Sequence, residues 1–597
     1  MVLAGLQWHQ IRQTRFLDPD GVTQTKDAYA VWSAEPNQVV VAASRRTFRN
    51  PFLMLGPVNS GIPPSGTSFL YDLPYRTDGY ALNIGVARAD DRFPPLLTVS
   101  LNDNLLSSIQ VPHSRLGSTH PFHSLEVPLP GTLLQPGTTN RLEIRTMQGL
   151  HWQGHLALIP NALWRQLLPL LVPLSGWCLL ASALFASVSR GKQRWFPLLF
   201  FLVLLTVYFQ SSFIRNMAPI GGFFFSDSPD FIDPICHKMF TTDMNKHPLF
   251  MPVVRAMVKR LSPVVQSEIT ALSAALALIA ALNGLMAFLW FRRWLDDFRT
   301  AGALALMYAF SLVVWAYSGL YETYPLSSLL GNLFFWVLLR VKQPDRLLNL
   351  FLSSLTIGIA ALAHPPLLIL FIPLVIYVAF KRSGPFPWGG MVAAAILIVV
   401  VYLTGQTLIR NYYEPVMAIP LAVEKHFDSA PNPLSKEILN IQWVYEQYAP
   451  QQRPTAPQIG AVLTGQFVYS LAGLPYPFDW ARGVEGLSHF FRSASGSASL
   501  WCILILWIGG AIAVMRSRIV LWQCLALCFG VLVPWLIFFL FFNPGEMLLY
   551  SAPILAPILG WLGGAGRAVF KNHAAAVLLA ISLVLTIHNA WVLASYY

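Results

Sequence analysis

The chain has 597 residues, 55% of them hydrophobic and only 11% charged, with a formal net charge of +12. That balance excludes a soluble enzyme and points to a protein that crosses a membrane many times. Of the five cysteines, four (Cys178, Cys502, Cys524 and Cys528) lie in apolar segments and only Cys236 in a loop, which excludes a disulfide framework and a paired-cysteine metal site.

Residues 1–160 differ from the rest, being polar, rich in Pro, Gly, Ser and Thr, and free of any long apolar run. Short alternating stretches recur at Tyr80–Ala87, Leu96–Leu101, Ser107–Val111, His123–Val127, Arg141–Thr146 and His155–Ile159, with turn signals at Asn102-Asp103-Asn104 and Pro136-Gly137. Strands at this spacing predict an extracytoplasmic antiparallel β-sandwich. The stretches LTVSLNDNLLSSIQV and VPLPGTLLQPGTTNRLEIRT resemble the jelly-roll carbohydrate-binding modules attached to bacterial polysaccharide-synthesis membrane proteins. That resemblance implies carbohydrate binding; a purely structural sandwich is the alternative. Asp18-Pro19-Asp20 fits the DxD pattern of nucleotide-sugar enzymes but lacks a Rossmann-type context. Met1–Arg15 has no apolar core to serve as an export signal, so a longer natural chain or an unusual start is expected.

Residues 161–597 read as a transmembrane domain of about twelve helices. The expected spans are 164–188, 195–214, 266–291, 301–320, 325–340, 347–363, 366–380, 388–408, 498–515, 519–542, 548–566 and 574–594. Alternate short loops carry Arg190, Lys192, Arg194, Arg292, Arg293, Arg299, Arg340, Lys342, Arg346, Lys381, Arg382, Arg516, Arg518, Arg567 and Lys571, against only Asp296, Asp297 and Asp345. The excess equals the whole net charge of +12, and the opposite short loops carry no Lys or Arg. This asymmetry assigns the basic loops to the cytoplasm and removes nucleic acid as a partner, because the positive charge is a topology signal. The outer loops 215–265 and 409–497 then face away from the cytoplasm, as do residues 1–160.

Ionisable and aromatic residues gather at the outer helix ends. Loop 215–265 holds Asp227, Asp230, Lys246, His247 and Arg255. Short turns hold Tyr321, Glu322 and Tyr324, then His364-Pro365-Pro366, then Glu546, and Arg410 opens the long loop. Charge at the interface is costly and therefore usually functional. Plainer readings stand beside this one. Glu322 can cap a helix, His364 can hydrogen-bond carbonyls freed by the proline break, and Glu546 can answer the helix dipole. Val253, Val254, Met257, Val258 and Leu261 form an apolar stripe suited to an interfacial helix, with Arg255, Lys259 and Arg260 on its other face.

The outer loop with SDSPDF, the KHPLF run into the next span, the YETYP turn and the histidine-proline turn resemble the GT-C superfamily of glycosyltransferases. They are similar to its polyprenyl-phosphate-sugar-dependent branch, which includes the protein mannosyltransferase and aminoarabinose transferase families. An outer sandwich ahead of the core is also similar to the mycobacterial arabinosyltransferases. The extra span 164–188 and the sandwich depart from the branch's usual pattern. The resemblance implies an inverting transferase on the outer face of a bacterial inner membrane, acting in cell-envelope polysaccharide biosynthesis. Asp227 would be the catalytic base, and Asp230 the second candidate. A nucleotide sugar is cytoplasmic, so an outer-face enzyme needs a lipid-linked donor, and cations must hold its leaving phosphate. Lys246, Arg255 and Arg410 suit that task, with His247 as a hydrogen-bond donor. The partners are a polyprenyl-phosphate sugar, a glycan, lipid or protein acceptor, and membrane lipids. No cofactor is required; Asp227, Asp230 and His237 could gather a divalent cation. The alternatives are a transporter or flippase for a lipid-linked polysaccharide, and a non-catalytic assembly subunit.

Overall fold

The computed structural model describes residues 15–17, 38–40, 68–73, 75, 77, 79–88, 96–110, 122–138, 140–146, 150–151, 156–160, 164–187, 190–215, 247–265, 268–318, 323–340, 346–381, 385–413, 454–473, 479–518, 520–521, 530–542 and 550–595.

The N-terminal strands are β1 (Arg15–Leu17), β2 (Gln38–Val40), β3 (Ser68–Leu73), β4 (Tyr80–Arg88), β5 (Leu96–Leu101), β6 (Asn104–Gln110), β7 (Phe122–Leu129), β8 (Asn140–Thr146), β9 (Leu150–His151) and β10 (Leu156–Pro160). They form two five-stranded sheets, one in the order β1-β10-β4-β7 with β9 on β4, the other β2-β3-β8-β5-β6. The six expected strands are present. Four others, β1, β2, β3 and β9, are not foreshadowed by alternation. One pairing departs from the antiparallel expectation: β2 runs parallel to β3, and the 41–67 connection is long enough for the crossover a parallel pair needs. Leu97, Val99, Leu101, Leu142 and Ile144 are buried, while Arg141 and Arg145 on either side of the Leu142–Ile144 pair are exposed, as the two-residue period of a half-buried strand requires. The β5–β6 turn places Asn102 and Asp103 at φ 49° and 64°, the left-handed pair of a type I′ hairpin. Asn102 also accepts the Arg141 N–H at 2.8 Å and donates to Asn140 Oδ1 at 2.9 Å, tying the turn to β8.

The main helices are α1 (Trp164–Ala186), α2 (Phe196–Arg215), α3 (Phe250–Val265), α4 (Glu268–Leu295), α5 (Phe298–Ala309), α6 (Leu312–Tyr317), α7 (Tyr324–Arg340), α8 (Leu347–Ala363), α9 (Phe371–Lys381), α10 (Trp388–Tyr413), α11 (Ala456–Thr464), α12 (Ala494–Arg516), α13 (Val533–Phe542), α14 (Ala552–Phe570) and α15 (Ala574–Ser595). Among the described residues, four segments are long and apolar enough to cross a membrane: Ala271–Leu295, Trp388–Ile409, Ala494–Arg516 and Ala552–Leu593. The last is divided by a 3-10 turn at Lys571–His573. Helix α4 is the hub, packed against α2, α3, α5, α7 and α14. Its Asn283 and Trp290 bond Tyr308 of α5 and Asn332 of α7: Asn332 Nδ2 donates to Asn283 Oδ1 at 2.7 Å, and Trp290 Nε1 donates to Asn332 Oδ1 at 2.8 Å. A buried polar network of this kind joins helices that have no hydrophobic reason to associate in lipid.

Several expected spans are corrected. The 301–320 stretch is two helices, broken at Phe310–Ser311. The break is held open by partners for the groups it frees: Leu312 and Val313 donate to the Leu471 and Ser470 carbonyls, and Asn589 Nδ2 donates to the Phe310 carbonyl at 3.0 Å. The 366–380 stretch opens as a 3-10 turn, Pro365–Leu370, with both prolines in its first turn, where their missing N–H groups leave no helical bond unmade. Helix α10 runs on to Tyr413, so Arg410 belongs to a helix rather than to the long loop. Within 409–497 the described chain forms α11, a π-turn at Gly465–Tyr469 and a 3-10 stretch at Asp479–Arg492. The apolar stripe on α3 faces protein: Val254 and Val258 are buried in the main core, while Lys259 and Arg260 are exposed.

Candidate functional site

The site begins with a helix that cannot continue. A residue before proline is driven out of the helical region, and His364 accordingly has φ −158° and ψ 104°, ending α8 at Ala363. The carbonyls at a helix C-terminus then need donors from elsewhere. The His247-Pro248-Leu249 turn ahead of α3 supplies them: Leu249 N–H donates to the Leu362 carbonyl and His247 Nδ1–H to the Ala363 carbonyl, each at 3.0 Å. The role the sequence offered to His364, capping freed carbonyls, is taken by His247.

The same contact stacks the two imidazoles, with ring centroids 5.2 Å apart and planes 10° from parallel. The two Nδ1 atoms lie 3.5 Å apart. A carbonyl oxygen only accepts, so His247 Nδ1 carries a proton, and His364 Nδ1 facing it is the unprotonated nitrogen. His364 therefore holds its proton on Nε2. That atom is buried and has no hydrogen-bond partner among the described residues. Around His364 stand Tyr324 at 5.9 Å, Trp535 at 5.8 Å and Tyr550 at 6.2 Å between centroids. Trp535 Nε1 donates to the Tyr550 carbonyl at 3.0 Å, which locks two of these walls together. Thr323, next to Tyr324, is also buried, and its Oγ1 has no partner among the described residues.

His364 lies in a turn between helices. Burial pushes its pKa well below the ordinary 6.5, and the charge of a protonated His247 would push it in the same direction. His364 is thus held in its neutral form. An aromatic enclosure with an unpaired N–H suits hydrogen bonding to an oxygen-rich ligand at an apolar boundary.

Three residues singled out in the sequence, His247, Tyr324 and His364, are brought together here from separate turns. Arg255 is half-buried on α3, and Arg410 lies in the last turn of α10. Asp227, Asp230, His237, Lys246, Tyr321, Glu322 and Glu546 lie outside the described residues, as does the Asp18–Asp20 pattern. Among the described residues no group of three or more His, Cys, Asp or Glu could hold a metal ion. Sequence reasoning missed Trp535, Tyr550 and Thr323. Tyr550 follows Glu546 by four residues and Thr323 sits inside YETYP, so both carried a signal; Trp535, inside an apolar run, carried none. No family model matches this chain, and no curated protein matches it.

Proposed function

We propose that the chain is a GT-C-type membrane glycosyltransferase with about twelve spans and an outer β-sandwich. It moves a sugar from a polyprenyl-phosphate donor to a glycan, lipid or protein acceptor on the extracytoplasmic face of a bacterial inner membrane. The observation that carries the reading is the convergence of His247, Tyr324 and His364, from three separate turns, in one buried aromatic cluster. These turns are far apart in sequence, and the two short ones, 321–325 and 364–366, carry no Lys or Arg. Two of the basic helix ends, those of α4 and α14, meet separately, where Arg567 donates to the Leu295 carbonyl. Two sheets that each bury alternate side chains support the sandwich.

In the proposed reaction the Asp227 carboxylate takes the proton of an acceptor hydroxyl as its oxygen attacks the anomeric carbon. The bond from that carbon to the donor phosphate breaks, the phosphate leaves, and the centre inverts. Phosphate is a good leaving group, so one general base suffices where glycoside hydrolysis uses two carboxylates. Lys246, Arg255 and Arg410 would neutralise the departing charge, and Glu322 and Glu546 would bind substrate hydroxyls.

The deciding experiment is a transfer assay with purified protein and candidate lipid-linked sugars. Asp227→Asn keeps size and hydrogen bonding but removes the proton acceptor, and its rate should fall by about 10²–10⁴-fold with unchanged expression. Asp230→Asn should lose less. If both variants retain wild-type rates, this loop is not the catalytic centre and a transporter takes precedence.

A further inference from the structure

We propose that His364 Nε2–H, together with the Thr323 hydroxyl, is a built donor site for a phosphate oxygen. Naming the anion as phosphate rests on the glycosyl-transfer reading; the donor site itself follows from geometry. The Ala363 carbonyl fixes the proton of His247 on Nδ1, and the facing Nδ1 of His364 is left as an acceptor. Tautomer and ring orientation are both set before any ligand arrives, so the His364 proton is presented on Nε2, roughly the opposite flank of the ring. His364 is only 3% exposed and Thr323 1%, and neither Nε2 nor Oγ1 meets an acceptor among the described residues. A buried donor left without an acceptor costs about 1–3 kcal/mol, so two of them, one on His364 and one on the residue before Tyr324, whose ring contacts His364, mark a place for an incoming acceptor. The titratable groups in ring contact with His364 among the described residues are His247, Tyr324 and Tyr550. None is anionic near neutral pH, so nothing among these contacts repels an oxyanion. A charged acceptor makes such hydrogen bonds about twice as strong as a neutral one.

The test is equilibrium binding to the purified full chain in detergent, without any sugar. The probes are a short-chain prenyl phosphate, the matching prenyl alcohol and inorganic phosphate. His364→Phe should weaken prenyl phosphate by about 10–100-fold and leave the alcohol unchanged. His364→Gln, whose amide N–H falls near the position of Nε2, should recover most of the loss, whereas His364→Asn should not. The near-isosteric Thr323→Val should weaken the same probe several-fold, which keeps the test open if the histidine variants fail to fold. Competition by inorganic phosphate would identify the free anion as sufficient; binding of prenyl phosphate alone would tie recognition to the lipid headgroup. Unchanged affinity in folded His364→Phe and in Thr323→Val overturns the proposal, as does wild-type protein that binds no phosphate at all. Because no transfer step is read, a failure here and a failure of the glycosyltransferase reading are separately visible.

Discussion

At the scale of single residues, the His247–His364 stack makes the fold sensitive to pH. In the unfolded chain a histidine titrates near the ordinary 6.5, and burial places His364 well below that value in the fold. Below that ordinary value the unfolded state therefore binds more protons than the native one, and stability rises with pH. The contribution is fully present above about pH 6.5 and is lost as pH falls towards the depressed folded value. Thermal unfolding in detergent should show a falling Tm from about pH 7 to about pH 5, and His364→Gln should flatten that slope. A slope unchanged in the variant would assign the effect to other groups. The proline break at His364 was legible in the sequence. Its consequence, that a histidine more than a hundred residues earlier caps the broken helix, was not, because proline dictates only that carbonyls are freed, not which donor reaches them.

At the scale of elements, the interruption between α5 and α6 depends on a residue far away in the chain. Asn589 of α15 accepts the Gly473 N–H at 3.0 Å and donates to the Phe310 and Leu471 carbonyls at 3.0 and 2.8 Å. Asn589→Ala removes this partner from the Gly473 N–H and the Phe310 carbonyl, leaves the Leu471 carbonyl with only the Leu312 N–H, and should cost about 2–4 kcal/mol, read as a lowered unfolding midpoint. Asn589→Asp, which accepts but cannot donate, should rescue little. In the N-terminal region Gly79 enters β4 at φ +71°, where a Cβ would lie 2.2 Å from the Leu129 carbonyl oxygen and 2.6 Å from the Gly131 nitrogen. Both neighbours are backbone and cannot yield, so Gly79→Ala should destabilise the sheet by more than about 1 kcal/mol. Limited proteolysis of residues 80–160 against wild type would register it. The apolar run 301–320 gave no warning of its break, since a lone Ser311 without Pro or Gly beside it is no stop signal and only the tertiary partners compensate the lost helical bonds.

At the scale of the whole molecule, charge and apolar surface are sorted. Helix α4 is buried by its neighbours, whereas α10 leaves Trp388, Val392, Ile396, Val399, Val400 and Leu408 exposed. An exposed apolar face of that length is what a helix presents to lipid. With the basic loops inside, a single cysteine at Arg293 should react with a membrane-impermeant thiol reagent only after cells are opened. One at Leu105, 64% exposed on the β6 strand, should react in intact cells. The reverse pattern, measured in a cysteine-free background, would invert the proposed orientation and move the His364 cluster to the cytoplasmic side.

Sequence alone determined the two materials of this chain, the positions of most helices and strands, and the sorting of its positive charge. Those features depend on local periodicity, composition and the geometry of proline, all of which act within a few residues. The tertiary structure decided which turns meet. The capping of α8 by His247, the locked tautomer of His364, the aromatic walls from Trp535 and Tyr550, and the break between α5 and α6 each join residues separated by tens to hundreds of positions. Backbone groups freed by a local break must find partners somewhere, and only the packing of the bundle selects them.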